Sequence, residues 1–270
     1  MIEGRIKNRN IVVDNCKISN CYRNGITINS ADGVLIQNST ICNIHGNPGS
    51  TVHLEDQSIT TRNVTIRDCI LYNSDCGISL YEGSGHTVDN CVIRGCGTAI
   101  WNRGSWDINI INCKIYNCYD INLKGNTDSE NFIHTHGSHI NMRGCYLYDV
   151  TRITFISTSI YSSVFEMCDN IGPALTGDTN RRNSGASFFS CSFNKKCNVS
   201  MAHGSFYGCN FIGDDVIISA FNTLLNNCYV EINNFGHTAG IGDLTICQSF
   251  IHLNDIRVHG NVGTTLSRCS

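Results

Sequence analysis

Apolar residues along this chain alternate with polar ones instead of recurring every three or four positions. Gly25-Ile26-Thr27-Ile28 and Gly77-Ile78-Ser79-Leu80 have the period of a half-buried strand. The alternating runs are short, and Asn, Gly, Asp and Ser, the residues of tight bends, separate them. No stretch of helix length carries an apolar stripe. The interruptions themselves recur. Asn15-Cys16-Lys17-Ile18, Asp68-Cys69-Ile70-Leu71, Asn90-Cys91-Val92-Ile93 and Asn112-Cys113-Lys114-Ile115 repeat one unit: Asn or Asp, then Cys, then an apolar residue two positions on. Taking Cys16, Ser39, Cys69, Cys91, Cys113, Cys145, Cys168, Cys191, Cys209, Cys228, Cys247 and Cys269 as equivalent points gives spacings of 23, 30, 22, 22, 32, 23, 23, 18, 19, 19 and 22. Such a period is the signature of a solenoid of about twelve coils.

A unit of roughly 22 residues with three short strands and polar corners predicts an all-β, single-stranded parallel β-helix, each strand pairing with its equivalent one turn away. At about 4.8 Å per turn the rod is about 60 Å long. Ile, Val, Leu and Cys form the inward columns. Asn15, Asn38, Asp68, Asn90 and Asn112 stack at one corner, where a left-handed bend suits Asn. Two spacings exceed the rest. The first holds Gly46-Asn47-Pro48-Gly49-Ser50 and the second Lys124 to His139, so each predicts a loop thrown out from the rod, where function is usually carried. Residues 1–10 form a lead-in, and Ile2-Glu3-Gly4-Arg5 matches a common protease-cleavage linker. Residues 11–270 form one β-helix, with wider coils to about residue 190 and shorter ones from 191.

This periodicity resembles the pectin-lyase-like right-handed β-helix superfamily, which includes pectinases and the tailspikes of bacteriophages. The resemblance covers nearly the whole chain. It implies a right-handed coil and, for a tailspike-like member, a bacterial surface polysaccharide as ligand, a homotrimer, and other virion proteins as partners.

Composition narrows the alternatives. Net charge is −3, only 15% of residues are charged, and no basic cluster exceeds Arg181-Arg182 or Lys195-Lys196, which argues against nucleic acid as a partner. No run of 18 apolar residues occurs, so membrane insertion is not expected, and Met1 to Asn10 lacks a signal-peptide core. Seventeen cysteines recur at core positions of a strand repeat instead of clustering in loops. They are expected to be reduced and to pack as small hydrophobes. Assembly in a host cytoplasm followed by action outside it, as for a virion component, fits these features; secretion is the alternative. The last repeat stops at Arg268-Cys269, so the chain is expected to belong to a larger polypeptide or to be capped by a partner.

Candidate chemistry falls in three places. Aligning the extended strands puts Asn29, Glu55, Tyr81, Trp101 and Lys124 in one outward column and Ser30, Asp56, Glu82, Asn102 and Gly125 beside it. Asp56 and Glu82 then lie on adjacent coils about 5 Å apart, the separation of a retaining glycosidase. Glu55, Tyr81, Trp101, Arg103 and Trp106 supply acid, cation and aromatic faces for a sugar ring. Second, Gly213-Asp214-Asp215-Val216 followed by Gly236-His237 is similar to the polygalacturonase pattern, which implies acid and base roles for Asp214 and Asp215, tuned by His237. The Asn-Thr-Asp triplet and Arg-Ile-Lys of that pattern are absent. Third, His134 and His136 share a face of the long excursion, with His139 following. No Cys or carboxylate at metal-ligand spacing completes a set, so neither a metal nor a cofactor is expected. Asn38, Asn63 and Asn198 head glycosylation triplets, and Asn38 is better explained by the corner stack.

Three functions remain: a tailspike-like virion protein that binds bacterial surface polysaccharide, with or without cleaving it, a stand-alone pectinase-like hydrolase or lyase, and a virion rod without a ligand. Phe155, Phe188, Phe189, Phe206 and Phe221, read as outward, are candidates for trimer contacts. An ice-binding surface needs a Thr ladder, which the column Thr27, His53, Ser79, Ala99, Asn122 does not provide.

Overall fold

A computed structural model describes residues 8–55, 61–81, 83–123, 139–155, 158–172, 186–202, 204–221, 223–237, 244–258 and 264–267. The described residues fold as a parallel β-solenoid without a helix. Twelve strands stack in the first sheet, beginning with Asn8–Asp14, Ala31–Gln37, Arg62–Arg67 and Ser84–Asp89 and ending with Thr264–Ser267. The second sheet has fourteen strands, several long enough to turn a corner. Thr40–Leu54 pairs through its first residues with Lys17–Ser19 and Ile70–Ser74, and through its last with Tyr22–Ile28 and Cys76–Leu80. Each turn therefore presents three faces: the first sheet, and two halves of the second.

The corners close because particular residues accept a left-handed bend. Asn15, Asn38, Asp68, Asn90 and Asn112 have φ between 49° and 54°, as their spacing predicts. Asn tolerates that conformation because its short polar side chain bonds locally. The column continues through Gly144, Ser162, Ser190, Gly208, Asn227 and Gln248. Two further columns make the other corners, one of Asn20, Asn43, Asn73, Gly95 and Asn117, the other of Asn10, Gly33, Asn63, Gly85 and Asp107. Amides link successive turns: Asn73 Nδ2 donates to Asn43 Oδ1 at 2.7 Å, and Asn90 Nδ2 to Asp68 Oδ1 at 2.7 Å.

Immediately after the first bend comes the cysteine ladder. Cys91 Sγ lies 3.3 Å from Asp89 O and 3.5 Å from Ile66 O, and Cys113 repeats the pattern with Ile111 and Val88. All sixteen described cysteines are free. The ladder differs from the sequence expectation at two rungs. At the later one Phe250 N bonds Cys228 O, so Ser249 holds the position assigned to Cys247. At the earlier one backbone bonds run from Val164 N to Cys145 O and from Ser192 N to Ser163 O, so Ser163 holds the position assigned to Cys168. Cys168 instead stacks on Cys197 in a second ladder. Its thiol, like that of Cys76, is pushed up to about 12 by burial.

Inward positions are aliphatic in the early turns and aromatic later. Phe165, Phe193 and Phe211 stack with ring centroids 4.9 and 4.7 Å apart, and Phe188 stacks on Phe206 at 4.8 Å. Phe155, Phe188 and Phe206 are thus core residues and not trimer contacts. In Ser187-Phe188-Phe189 the pleat sends only Phe189 outward, where it stacks between Tyr161 and Tyr207. The side chain of Phe221 lies outside the described ones. Gly46 to Gly49 do not form a loop leaving the sheet but a bulge within Thr40–Leu54, four residues facing the single Arg23. Asp75 pins it, its Oδ2 accepting Gly46 N–H at 2.8 Å.

Candidate functional site

On the third face, parallel register aligns Thr27, His53, Ser79, Trp101, Asn122 and Thr154 on successive rungs. Paired residues of parallel strands point to the same side of the sheet. Val52, Leu54, Ile78 and Leu80 alternate with this column and fill the core, so the column itself points outward.

The next outward column runs Glu55, Tyr81, Arg103: Tyr81 N bonds Leu54 O and Arg103 N bonds Leu80 O. The alignment read from sequence put Trp101 after Tyr81. The structure moves Trp101 one pleat back, beside Ser79, and gives its place to Arg103. Register with the preceding turn runs unbroken, Thr98 on Cys76 and Trp101 on Ser79, at the same offset of 22 residues that separates Cys69 from Cys91. The extra residue, Ala99, falls only in the pairing with the following turn. Asn102, expected beside the carboxylates, is fully buried, its Oδ1 accepting Gly104 and Ser105 N–H at 3.2 and 2.9 Å.

These shifts assemble a compact cluster. The Tyr81 ring meets His53 edge-on at 5.7 Å and Trp101 edge-on at 6.0 Å. Arg103 Cζ lies 4.5 Å from the Tyr81 centroid and 5.8 Å from that of Trp101. Arg23 pairs with Glu55 at 3.2 Å. Burial is the main influence on His53 and pushes its imidazole below the ordinary value, while Glu55 raises it and Arg23 lowers it. At neutral pH the ring is uncharged. Its Nδ1 and Ser79 Oγ are both buried and, among the described residues, without a hydrogen-bond partner. The cluster can therefore offer an indole, a guanidinium and two neutral polar groups to a ligand.

The remaining expected residues fall elsewhere. Trp106 begins the first-sheet strand Trp106–Ile111, around the corner from Arg103, and pairs with Ser84. Asp56, Glu82, His134 and His136 lie outside the described residues; His139 is exposed. Asp214 and Asp215 lie in Asn210–Phe221, where Asp215 pairs with Lys196, and the side chains of Asp214 and His237 lie outside the described ones. His237 pairs with Ala220, five residues beyond Asp215 and so about 16 Å along an extended strand. The fold does not bring His237 to the aspartates. Among the described residues, no group of three or more His, Cys, Asp and Glu could hold a metal ion.

His53 and Ser79 carry no motif. The column they occupy was readable from alternation, with Ala99 in the place of Trp101, but nothing in the pattern signals that an outward column is buried.

Residues 3–123 match the family described as rhamnogalacturonase A/epimerase, pectate lyase-like. That stretch is pectate lyase-like, and the β-helix continues through the later described strands. Among solved structures this β-helix is similar to the Agl-KA catalytic domain, with TM-score 0.55 and 9% identity over 94% of this chain and 62% of that one. It is also similar to ORF18 of Geobacillus virus E2, with TM-score 0.43 and 12% identity over 93% and 53% of the two chains. A third is the tailspike protein gp49 of Acinetobacter baumannii bacteriophage Fri1, a capsular polysaccharide depolymerase, with TM-score 0.48 and 11% identity over 90% and 51%. The β-helix thus spans between about half and two thirds of those chains, and at these identities the likeness is one of fold. A search of curated proteins found no match.

Proposed function

We propose that this β-helix binds bacterial surface polysaccharide on its third face, as a component of a bacteriophage tail spike in which copies associate as a trimer. The observation that carries the reading is the cluster of Trp101, Tyr81 and Arg103 on neighbouring rungs, outward and partly exposed. Aromatic rings pack on the apolar faces of sugars, and Arg103, with no carboxylate partner among the described residues, is a donor for ring oxygens or acidic substituents. Free cysteines throughout the core suit assembly in a reducing compartment. On the same reading, cleavage falls to Asp56 and Glu82, which directly follow Glu55 and Tyr81 in the chain; Asp214 and Asp215 are the second candidates.

The test combines light scattering on the purified chain with incubation against a panel of bacterial capsular and O-antigen polysaccharides. A trimer that binds one glycan, and loses at least tenfold in affinity with Trp101→Ala or Arg103→Ala, supports the reading. Shortening of that glycan, abolished by Glu82→Gln or Asp56→Asn, adds catalysis. A chain that binds none of the panel is a structural rod.

A further inference from the structure

We infer that His53 and Ser79 form the floor of a subsite for neighbouring hydroxyls of an uncharged sugar ring, opened when Tyr81 turns aside. This rests on the reading of the third face as a glycan surface and adds to it two residues and a ligand chemistry.

Three observations lead there. His53 and Ser79 occupy outward positions yet are only 3% and 0% exposed, whereas Thr27, one rung earlier in the same column, is exposed. They pair directly across adjacent rungs, and both His53 Nδ1 and Ser79 Oγ lack a partner among the described residues. Buried polar groups are nearly always bonded, and two orphans side by side mark a place made for a group the chain does not supply. Finally, Tyr81 touches both His53 and Trp101, the neighbours of Ser79 in the column, so its ring stands at the edge of the floor.

The chemistry of the floor selects its occupant. Burial keeps His53 neutral, so it offers one acceptor or one donor according to tautomer. Ser79 offers both. A hydroxyl, itself donor and acceptor, satisfies either atom without bringing a charge into a buried place. A carboxylate entering there meets two neutral groups, because Arg23 is engaged by Glu55 and Arg103 is spread over aromatic faces. Rungs about 4.8 Å apart let the two side chains reach adjacent hydroxyls of one ring. Turning Tyr81 gives up its contact with Arg103 and uncovers the Trp101 face for the same sugar.

The test follows binding by isothermal titration calorimetry with neutral hexasaccharides of glucose, mannose and galactose and with hexagalacturonate. Wild type, Ser79→Ala, His53→Phe and Trp101→Ala are compared, each with its thermal unfolding midpoint. The expected result is that a neutral hexasaccharide binds, that Ser79→Ala and His53→Phe each weaken it by about five- to a hundredfold, and that neither variant lowers the midpoint. Trp101→Ala abolishes binding. If Trp101→Ala loses binding while Ser79→Ala and His53→Phe keep it, the subsite is wrong and the glycan surface stands. Tighter binding of hexagalacturonate than of every neutral oligomer overturns the uncharged assignment. No binding by the wild type removes both the subsite and the surface.

Discussion

Cys145 donates its backbone N–H to Ser163 Oγ at 3.1 Å, and that hydroxyl in turn donates to Tyr161 O at 3.0 Å. A serine thus completes a ladder whose neighbouring rungs are thiols, and Ser39 and Ser249 do the same elsewhere. The position requires a small side chain with a donor for the carbonyl two residues back, and it does not require sulfur. Cys113→Ser is therefore expected to leave the denaturation midpoint nearly unchanged. Cys113→Leu, which overfills the corner, costs about 1–3 kcal/mol. Chemical denaturation of both variants checks this. If the serine variant falls as far as the leucine one, packing of sulfur itself holds the corner.

The aromatic interior should show an asymmetry between adjacent residues. Phe193 is wholly buried between Phe165 and Phe211, and Phe193→Ala is expected to cost about 3–5 kcal/mol. Phe189 stacks on Tyr161 and Tyr207 outside the sheet, where Phe189→Ala removes only a half-buried ring and costs about 1 kcal/mol. Equal losses in urea unfolding would contradict the pleat assignment of Ser187–Phe189.

His53 gives the chain a pH dependence of defined sign. Its folded pKa lies below the unfolded value of about 6.5, so the folded state disfavours the protonated ring. The stability involved is fully present above pH 6.5 and is lost as the pH falls below it. The unfolding midpoint should decline from pH 7 to 5 in the wild type and decline less in His53→Phe. Parallel profiles would place the titration in another group.

Asp75 acts at lower pH. The Gly46 N–H, and secondarily His45, hold its carboxyl below the usual carboxylate range. A depressed folded pKa contributes stability above the unfolded value that disappears as pH falls through the folded one. Asp75→Asn should therefore be less stable than wild type at pH 7 and converge with it near pH 2. The side chain is half exposed, so the difference is small, and a gap persisting at pH 2 would mean that packing of the bulge, not charge, is at work.

Alternation and the Asn-Cys unit were enough to give the parallel solenoid and its first corner, because a left-handed bend repeated each turn leaves few residue choices. They could not give register everywhere. Ala99 adds one residue to its pairing and Asn102 turns inward, and a bulge of that kind leaves no trace in an alternating pattern. Trp101 was misplaced, and the partnership of Tyr81 with Arg103 hidden, by aligning the alternating runs instead of keeping the offset of 22 residues from Cys69 to Cys91. Adjacent aromatics posed the same problem at Phe188 and Phe189, since reversing the pleat exchanges core and surface. At Ser163 the misleading signal was chemical: Cys168 looked like the ladder residue because cysteine stood at most of the other rungs. The cluster's residue types were legible, but the burial of His53 and Ser79 depends on neighbours from three turns.

The bulge opposite Arg23 separates two kinds of change. Val52 and Leu54 regain register with Ile26 and Ile28 as soon as Gly46 to Gly49 have passed, so no inward side chain records the insertion. Lineages can lengthen, shorten or recolour the exterior at that point while inheriting the interior intact, and the column holding His53 begins only a few residues downstream. Novelty in what this molecule recognises has a place to arise that leaves its scaffold untouched.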